Sequence, residues 1–574
     1  MITDQEIKSL QGMVGEKWVA TDPCILDSYS FYMNPEALNK EGGRFSPRPV
    51  AVVLPDNTKE VREIVRFCNT NDLMVKPFST GFCVMGAPSR DRVITIDLKR
   101  MNRIIDIDVK NQIAVVEPYV RAIDLQTRLF KHGLNCHVIS AGGHHSLLAS
   151  ATSAWGTGIN GPLMGYSPRN LLGVEWVLPT GEVVTIGSAG DGAGWFSPDG
   201  PGPATRGIMR GFQGAFGGLG VFTKCALKLY RWDGPEAFEV EGSSPNYALK
   251  EFPPRVSLNV MAFPSKEALR EAGYKLGEAE IEYANFRTPM FFTALGGTKN
   301  NEELVKVLES GIFQKMANHT IVNAIVGYSD DEFEWKMKAL KQIVQEIGGT
   351  LLPTGGMADA EMLQRVGKLA KFIKSPLSLL RRFPFLQKIM NVLDSGMTLV
   401  SKDKMTAASQ LVWLMLRHAS NCRGTLRVSH ALATTLGTLD TWDVGINQAD
   451  WIAEAKQGPI SDGTIVDDGG DLSCGGTFEG GHMGYLEGIV LYDTRDPKSL
   501  AATDNLIEKG IDASIDESFG IPIAGFGQEA NSRLGPACGN YHIWLSKIKR
   551  ALDPNLAADP YFYAEPEKTE ANKT

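Results

Sequence analysis

A run of small and polar residues between two short apolar segments has the composition of an anion-binding loop. The run extends from Val75 to Pro88, and its hydroxyl-bearing and glycine positions are Ser79, Thr80, Gly81 and Gly86. Backbone N–H groups in such a turn can face a phosphate, because glycine adopts conformations that other residues avoid. The flanking apolar residues, ending at Pro77 and resuming at Val93, predict a hairpin between two strands. We therefore expect a phosphate site here.

A strand–helix–strand unit precedes this loop. The apolar segment from Arg48 to Pro55 predicts a strand, and Asn57 followed by Glu60 has the spacing of a capping box. The helix that begins there carries apolar residues at helical spacing, namely Val61, Ile64, Val65 and Cys68. After the loop we expect strands at Val93–Asp97 and Gln112–Pro118, and then a helix near residues 122–131. These elements would hold the loop at the end of a strand.

Four further segments extend the pattern along the chain. A second stretch of small residues suits backbone packed against a flat ligand, and after it come an apolar hairpin, a glycine-rich strand entry and a final helix with its stop. These segments are Ser140–Gly158, Gly165–Val184, Gly214–Lys224 and Trp544–Asn555. Residues 156–161 match G-x-G-x-x-G, but Pro162 stands where a nicotinamide-binding helix would have to begin. We therefore reject a nicotinamide site.

The order of these motifs resembles the FAD-binding domain of the vanillyl-alcohol oxidase and p-cresol methylhydroxylase superfamily, termed PCMH-type. The resemblance covers roughly residues 40–235 and 510–560. It implies an α+β fold, in which a two-part FAD-binding domain, made of the N-terminal region and a C-terminal helix, carries an inserted α+β cap domain. We accordingly expect an FAD-binding domain over 1–235, a cap and substrate domain over 236–510, and a return to the FAD domain with a polar tail over 511–574.

The resemblance implies that the two glycine-rich segments, the strand entry and the closing helix hold FAD. We expect no metal. The implied contacts are Pro77, Ser79, Thr80, Gly81, Phe82, Cys83, Gly86, Ala87, Ser140, Gly142, Gly143, Ser146, Ser150, Gly156, Gly220, Val221 and Arg550. The adjacent His144 and His145 do not predict a metal site, because neighbouring side chains diverge and no third ligand stands at helical spacing. One of them either faces the flavin or substrate, or is a hydrogen-bonded loop histidine.

Hydride transfer from a substrate carbon to flavin N5 is the chemistry that the resemblance implies, and it needs a proton acceptor and a cation near the substrate. The candidate catalytic residues are Tyr166, His482, Tyr485, Glu487 and Arg533. Tyr166 stands where the aryl-alcohol branch has an acidic residue. His482 matches the first histidine of the glycolate oxidase and D-lactate dehydrogenase branch, but Glu487 stands near the place of the second. Arg533 would bind an anionic oxygen or form a surface salt bridge.

The segment near Tyr485 is also where the aryl-alcohol branch attaches its flavin, so covalent and non-covalent FAD both stay open. The favoured function is an FAD-dependent dehydrogenase or oxidase for an alcohol, a 2-hydroxy acid or a hydroxylated aromatic compound. One alternative is a transferase that resembles alkyl-dihydroxyacetone-phosphate synthase and has no net oxidation. Another is a flavin electron-transfer subunit. The expected partners are a small-molecule substrate, an electron acceptor protein or quinone, and further copies of the chain.

Composition excludes several other classes. The 574 residues are 43% apolar and carry a net charge of −8, which gives no reason to expect nucleic-acid binding. The eight cysteines contain no C-x-x-C pair, which argues against zinc or iron–sulfur ligation and fits a reducing cytoplasm. No apolar leader segment and no run of 18 apolar residues occurs. We expect a cytoplasmic protein without a spanning helix.

Residues 363–393 differ from the rest of the chain in charge. They contain seven Lys or Arg residues and no acidic residue, and Pro376 and Pro384 divide them into short pieces. This composition suits a helix lying on the inner face of an anionic membrane, or a docking face for an acidic electron-transfer partner. A third interpretation is a lid whose apolar side chains pack inward while the basic groups reach solvent.

Overall fold

The structure is a computed structural model in which strands and helices alternate along most of the chain. It describes residues 2–30, 47–81, 86–139, 142–153, 156–187, 194, 205–209, 211, 214–243, 246–287, 302, 306, 319–355, 413, 415–417, 432–467, 474–493, 495–522, 527–560 and 563–565. The basic segment 363–393 lies outside these ranges.

A four-stranded sheet carries the anion-binding loop. Its strands are β1 (Val19–Ala20), β2 (Ala51–Val53), β3 (Met74–Phe78) and β4 (Val93–Asp97), in the order β1-β2-β4-β3. Strands β2 and β3 both run parallel to β4, whereas β1 is antiparallel to β2. The predicted hairpin is therefore wrong, because a hairpin joins antiparallel strands and this loop connects two parallel ones. The predicted bounds of β4 are confirmed.

Three helices accompany this sheet: α1 (Asp4–Val14), α2 (Pro23–Ser28) and α3 (Thr58–Thr70). The apolar stripe predicted for α3 is confirmed, because all four of its residues are fully buried against the sheet. The Asn57 side chain accepts the Glu60 N–H at 3.0 Å, but the Glu60 carboxylate accepts the N–H of Asp56 instead of that of Asn57. The capping box is thus displaced by one residue.

A second, antiparallel sheet of five strands packs behind the loop. Its strands are β5 (Ile104–Asp108), β6 (Ile113–Val116), β8 (Leu171–Val177), β9 (Val183–Ile186) and β10 (Val221–Lys228), in the order β5-β6-β10-β8-β9. The predicted apolar hairpin is the pair β8 and β9. The connecting elements are α4 (Ala122–Phe130), β7 (Leu134–Asn135), α5 (Leu147–Thr152) and α6 (Gly161–Met164), and β7 pairs with β11 (Tyr230–Arg231).

The middle of the chain forms a long row of antiparallel strands after a hairpin of β12 (Val240–Ser243) and β13 (Asn246–Leu249). Its strands are β14 (Val256–Ala262), β15 (Ala284–Phe286), β16 (Thr320–Val326), β17 (Thr350–Gly355), β18 (Leu432–Asp440), β19 (Cys474–Phe478) and β20 (Met483–Leu491). They form two sheets, β15-β16-β14-β17 and β18-β20-β19. A backbone bridge between Arg287 and Gly475 joins the two edges, β15 and β19. We refer to the result as the seven-strand row.

Helices cover one face of the seven-strand row, and the other face packs against the first half of the chain. They include α7 (Lys266–Glu278), α8 (Asp330–Glu346) and α9 (Trp442–Ala455), with the short α10 (Gln457–Ser461) after α9. Leu269, Leu340 and Trp442 pack on Met261 and Leu486 of the row. On the other face, Leu258 and Ala324 pack with Phe130 and Trp232 of the first half. Because successive side chains of a strand point to opposite faces, the neighbours of Leu486 on β20 point toward the first half of the chain.

The last helices return the chain to the first sheet. They are α11 (Pro497–Asp516), α12 (Gly527–Leu534) and α13 (Tyr541–Leu552). After α13, the Val75 N–H donates to the Ala557 carbonyl at 2.7 Å, and the Asp559 N–H donates to the Val75 carbonyl at 3.0 Å. Among the helices described, none is long and apolar enough to cross a membrane.

Candidate functional site

A cleft opens where β3, α5 and the segment before β10 meet. Its empty volume, including the space at its open mouth, is about 830 Å³. The lining residues are Lys76, Pro77, Phe78, Ser79, Thr80, Gly81, Gly86, Leu98, Pro118, Ile139, His145, Ser146, Leu148, Ala149, Ser150, Ser153, Phe216, Gly217 and Phe222. The first glycine-rich loop and the second small-residue segment thus line one cleft.

The predicted cofactor contacts divide into four groups. Those that line the cleft are Pro77, Ser79, Thr80, Gly81, Gly86, Ser146 and Ser150. Those buried but not in the cleft lining are Ala87, Gly142, Gly143, Gly156, Gly220 and Val221, and Arg550 is exposed on α13. Phe82, Cys83 and Ser140 lie outside the described residues.

The loop wraps around an aromatic ring that sequence reasoning missed. Gly81 has a φ of +62°, and a Cβ there would lie 2.3 Å from the Phe78 ring. A Cβ on Gly86 would also lie 2.3 Å from that ring. The Phe78 ring makes an edge-on contact with Tyr29, with centroids 5.0 Å apart. The contact with Phe78 therefore requires glycine at both positions, and the backbone conformation requires it at Gly81 as well.

His145, rather than His144, lines the cleft. Its side chain is buried, and Nδ1 lies 2.9 Å from the carbonyl oxygen of Gly142. Burial lowers the pKa of His145 to about 4, so the ring is neutral at pH 7. His145 is therefore a hydrogen-bonded loop histidine, and its contact with the flavin or the substrate stays a prediction.

A second cluster of functional side chains lies on the face of the seven-strand row that points toward the first half of the chain. On β20, the Tyr485 hydroxyl donates to the Glu487 carboxylate at 2.7 Å, and the Cys474 thiol lies 3.8 Å from the same oxygen. Burial and the adjacent carboxylate raise the pKa of Tyr485 well above its ordinary value. Burial also raises the pKa of Glu487, against the lowering effect of its hydrogen bonds. The pair therefore combines a neutral phenol with a carboxyl group that can exchange a proton.

Tyr166 meets this pair from the first half of the chain. It shares an apolar cluster with Phe478 and Tyr485, against which Leu439 and Met483 pack. Arg169, one turn after Tyr166, donates to the Tyr166 hydroxyl at 3.2 Å and lies 3.5 Å from the Glu479 carboxylate. The structure therefore brings together three predicted residues, Tyr166, Tyr485 and Glu487, although more than 300 positions separate the first from the others.

The other two candidate catalytic residues are placed differently. His482 is exposed just before β20. Arg533 on α12 forms ion pairs with Glu508 at 2.9 Å and Asp512 at 2.5 Å, both on α11, and these carboxylates are largely exposed. This arrangement matches the surface salt bridge given above as the alternative for Arg533. In the described ranges no group of three or more His, Cys, Asp or Glu side chains could hold a metal ion.

Comparison with known proteins agrees with this geometry. A family model described as "FAD binding domain" matches residues 49–187, which include the loop and α5. The crystal structure of p-cresol methylhydroxylase superposes with a TM-score of 0.68 over 99% of both chains, at 15% sequence identity. Residues 49–187 match an FAD-binding domain, and the fold is that of p-cresol methylhydroxylase. The resemblance predicted from the motifs is thereby confirmed, and so is FAD as the cofactor.

Curated relatives share parts of this chain. The glycolate oxidase subunit GlcD of Bacillus subtilis is 26% identical over 190 residues, which cover 32% of this chain and 38% of the relative. A probable mitochondrial D-lactate dehydrogenase of Danio rerio is 30% identical over 40% of this chain and 43% of its own length. The alkyldihydroxyacetonephosphate synthase of Trypanosoma brucei brucei is 27% identical over 35% of this chain and 31% of its own length. The matched region thus spans less than half of each relative.

The cleft of the PCMH-type domain suits a cofactor with a pyrophosphate and flat rings. Gly217 has a φ of +80°, and a Cβ there would lie 2.9 Å from Pro77 Cδ, so the backbone before β10 packs directly on the loop. Small side chains of α5, Ala149 and Ser150, with Ser153 after its end, form one wall. These residues leave room for a ligand to approach the backbone closely.

Proposed function

We propose that this chain is an FAD-dependent oxidoreductase that removes a hydride from a substrate C–H bond next to an oxygen or to a phenol ring. The observation that carries the proposal is the Tyr485–Glu487 hydrogen bond, 2.7 Å long, on the face of the seven-strand row that meets Tyr166. FAD, when bound, supplies the hydride acceptor at flavin N5. We further propose that the seven-strand row belongs to the expected cap and substrate domain, 236–510, between FAD-binding parts at 1–235 and 511–574.

Glu487 is the proposed proton acceptor. Its raised pKa brings it closer to the range in which a carboxylate takes a proton efficiently at neutral pH. The Tyr485 hydroxyl donates its one hydrogen to a carboxylate oxygen of Glu487, and the phenol oxygen can accept a hydrogen bond from a substrate hydroxyl. Tyr166, held by Arg169, closes the opposite side. Together the three side chains would orient a hydroxyl group and remove its proton.

The lining of this cluster favours a hydroxylated aromatic substrate, such as a p-alkylphenol or an aryl alcohol. Its side chains are mostly aromatic or aliphatic: Tyr166, Phe478, Tyr485, Leu439 and Met483. A 2-hydroxy acid would need a cation for its carboxylate, and Arg169 is already paired with Glu479. We propose 2-hydroxy acids as the second substrate class, because two relatives are named glycolate oxidase subunit and D-lactate dehydrogenase.

A flavin transferase without net oxidation is the alternative function. The alkyldihydroxyacetonephosphate synthase relative supports it, because it matches a similar share of the chain at similar identity. A flavin subunit that only passes electrons is a third candidate. If the chain is an oxidoreductase or an electron-transfer subunit, the expected partner is an electron acceptor protein or a quinone. We still predict a membrane or partner contact through residues 363–393. We also predict a cytoplasmic location and a homo-oligomer.

Anaerobic addition of substrates to the oxidised holoprotein tests the proposal. Members of three classes, p-alkylphenols, aryl alcohols and 2-hydroxy acids, are added in turn while the flavin absorbance is followed. At least one hydroxylated aromatic should bleach the flavin, and Glu487→Gln should slow that bleaching. Glu271→Gln, which alters an exposed glutamate on α7, is the matched control and should have no effect. Catalytic turnover of a substrate without bleaching would support the transferase instead.

A further inference from the structure

Glu479, in the turn that joins β19 to β20, has a backbone conformation that residues with side chains rarely adopt. Its φ is +46°, and the two residues after it, Gly480 and Gly481, also have positive φ values, +64° and +79°. Glycine adopts this conformation without steric cost, whereas a residue with a Cβ atom is strained in it. Strained residues of this kind concentrate at functional sites. A glutamate where glycine would be unstrained points to a role for its carboxylate.

Close contacts on two sides hold this turn in place. On one side the turn packs on α7, since a Cβ on Gly277 would lie 2.1 Å from Gly481 Cα. On the other side it meets the first half of the chain, since a Cβ on Gly165 would lie 2.9 Å from Glu479 Oε1. Gly165 comes directly before Tyr166 in the chain. The carboxylate of Glu479 therefore lies against the segment that carries Tyr166.

The same carboxylate forms an ion pair with Arg169. Arg169 Nε lies 3.5 Å from Glu479 Oε1 and donates to the Tyr166 hydroxyl at 3.2 Å. The hydrogen bond to Tyr166 raises the pKa of Arg169, burial opposes this rise, and the Glu479 carboxylate adds to it. Tyr166 shares an apolar cluster with Tyr485. The guanidinium group therefore lies next to a side chain of the proposed substrate site, and Glu479 balances its charge there.

We propose that Glu479 is a specificity-determining residue, which disfavours substrates that carry a carboxylate by pairing with Arg169. An arginine beside the site is the group that would bind the carboxylate of a 2-hydroxy acid, and a second carboxylate on that arginine competes with it. A neutral hydroxylated aromatic compound has no charge to be repelled, so the arrangement discriminates through a repulsive element. The proposal rests on the function proposed above, and it adds the residue that sets the substrate class.

The test compares two ligands of similar shape that differ by one charge, 2-hydroxy-2-phenylpropanoate and its amide. Both carry an aromatic ring and a hydroxyl group. Neither has a hydrogen on the carbon that bears the hydroxyl, so neither can lose a hydride from that carbon to the flavin. Isothermal titration calorimetry measures the affinity of each for the oxidised holoprotein. Because only binding is measured, the outcome is separate from the proposed reaction, which fails if no substrate bleaches the flavin.

The wild type should bind the amide more tightly than the acid. Glu479→Gln should raise the acid-to-amide affinity ratio about 10-fold, the size expected for one charge-assisted contact between partly exposed groups. Glu479→Gly removes the same charge and relieves the left-handed backbone, so it decides the matter if the glutamine variant does not fold. Glu280→Gln is the matched control, because this exposed carboxylate lies near the same turn, 3.2 Å from a Cβ on Gly480. It should keep the wild-type ratio.

Combining Arg169→Gln with Glu479→Gln should cancel the gain, because it removes the cation that would bind the carboxylate. An unchanged ratio in the Glu479 variants would overturn the proposal, and so would a lack of measurable binding of the acid to them. A gain that persists without Arg169 would also overturn it. An equal gain in Glu280→Gln would do the same, since the ratio would then follow net charge and not the Arg169–Glu479 pair.

Discussion

Ser89 and Asp559 are hydrogen-bonded although 470 positions separate them in the chain. The Ser89 N–H donates to one carboxylate oxygen of Asp559 at 2.8 Å, and its hydroxyl donates to the other. Val75, before the loop, is paired with Ala557 and Asp559 through its backbone. The C-terminal segment thus holds both ends of the FAD loop, which explains why a domain that begins near the N-terminus needs the end of the chain.

Asp559→Ala should loosen this loop. The substitution leaves the partly buried N–H and hydroxyl of Ser89 without their acceptor, at a cost of about 2 kcal/mol in folding free energy. We expect a lower melting temperature and a loss of bound FAD during gel filtration. Glu565→Gln alters the Arg90–Glu565 ion pair, which is partly exposed, and should cost less than about 1 kcal/mol. Equal FAD retention in the two variants would show that Asp559 does not hold the loop.

Gly81→Val should abolish FAD retention. A valine at a φ of +62° is strained, and its Cβ would collide with the Phe78 ring at 2.3 Å. The control is Gly12→Val on α1, where no atom lies within 4 Å of the added Cβ. That variant should keep the FAD content of the wild type, measured from the absorbance of the released flavin. Normal FAD content in Gly81→Val would mean that the loop does not approach the cofactor.

The Tyr485–Glu487 pair predicts how flavin bleaching depends on pH. Proton transfer to Glu487 needs its ionised form, so the bleaching rate should rise as the pH increases through its raised pKa. Glu487→Gln should remove this rise and slow bleaching by roughly 10²- to 10⁴-fold. Tyr485→Phe removes a hydrogen bond that lowers the pKa of Glu487, so the rise should move to higher pH. A pH profile that is identical in all three proteins would exclude Glu487 as the base.

A buried carboxyl group outside the cleft lining predicts a pH dependence of folding stability. Glu282, after α7, is 4% exposed and accepts amide hydrogen bonds from Asn285 and from Asn323, the latter at 2.6 Å. Burial raises its pKa from an ordinary value of 4.5 to about 7. At intermediate pH the folded state then binds more protons than the unfolded state. The contribution of Glu282 to folding stability is therefore full below pH 4.5 and is lost as the pH rises to about 7.

The loss attributable to Glu282 is at most about 3 kcal/mol. Glu282→Gln, which cannot titrate, should give melting temperatures that change less between pH 5 and pH 8 than those of the wild type. Differential scanning fluorimetry across this range measures the difference. If the melting temperatures of both proteins change equally with pH, Glu282 is already ionised at pH 5.

Arg533→Ala separates the two roles considered for this residue. Its ion pairs with Glu508 and Asp512 link α12 to α11 through exposed carboxylates, and such pairs contribute little stability. We expect a small fall in the melting temperature and an unchanged KM for any substrate that bleaches the flavin. A large rise in KM at unchanged FAD content would instead support the substrate-binding role predicted from the sequence.

Local sequence patterns predicted individual elements well. The run Val93–Asp97 became β4 with the same bounds, and the apolar stripe of α3 is buried as expected, because each depends on the neighbours of a residue in the chain. Such patterns do not predict whether two neighbouring strands run parallel or antiparallel. The composition of the loop after Phe78 is compatible with a hairpin and with a link between parallel strands, and the pairing of β3 with β4 decides between them.

The sites required contacts that no local pattern encodes. Motifs located seven cleft-lining residues, but Lys76 and Phe216 meet across 140 positions, and neither residue type is distinctive at its place. Tyr166 and Tyr485 were each singled out from their motifs, yet their shared cluster follows only from the packing of the seven-strand row on the first half of the chain. A pocket of this kind is set by tertiary packing.

The most direct test of the proposed reaction is the deuterium isotope effect on anaerobic flavin bleaching. The substrate is one that bleaches the wild-type flavin, prepared with hydrogen or with deuterium on the carbon next to its oxygen or phenol ring. If a hydride leaves that carbon, the deuterated substrate should bleach the flavin several-fold more slowly at saturating concentration. Equal bleaching rates for the two substrates, with chemistry established as the slow step by single-turnover measurement, would contradict hydride removal from that position.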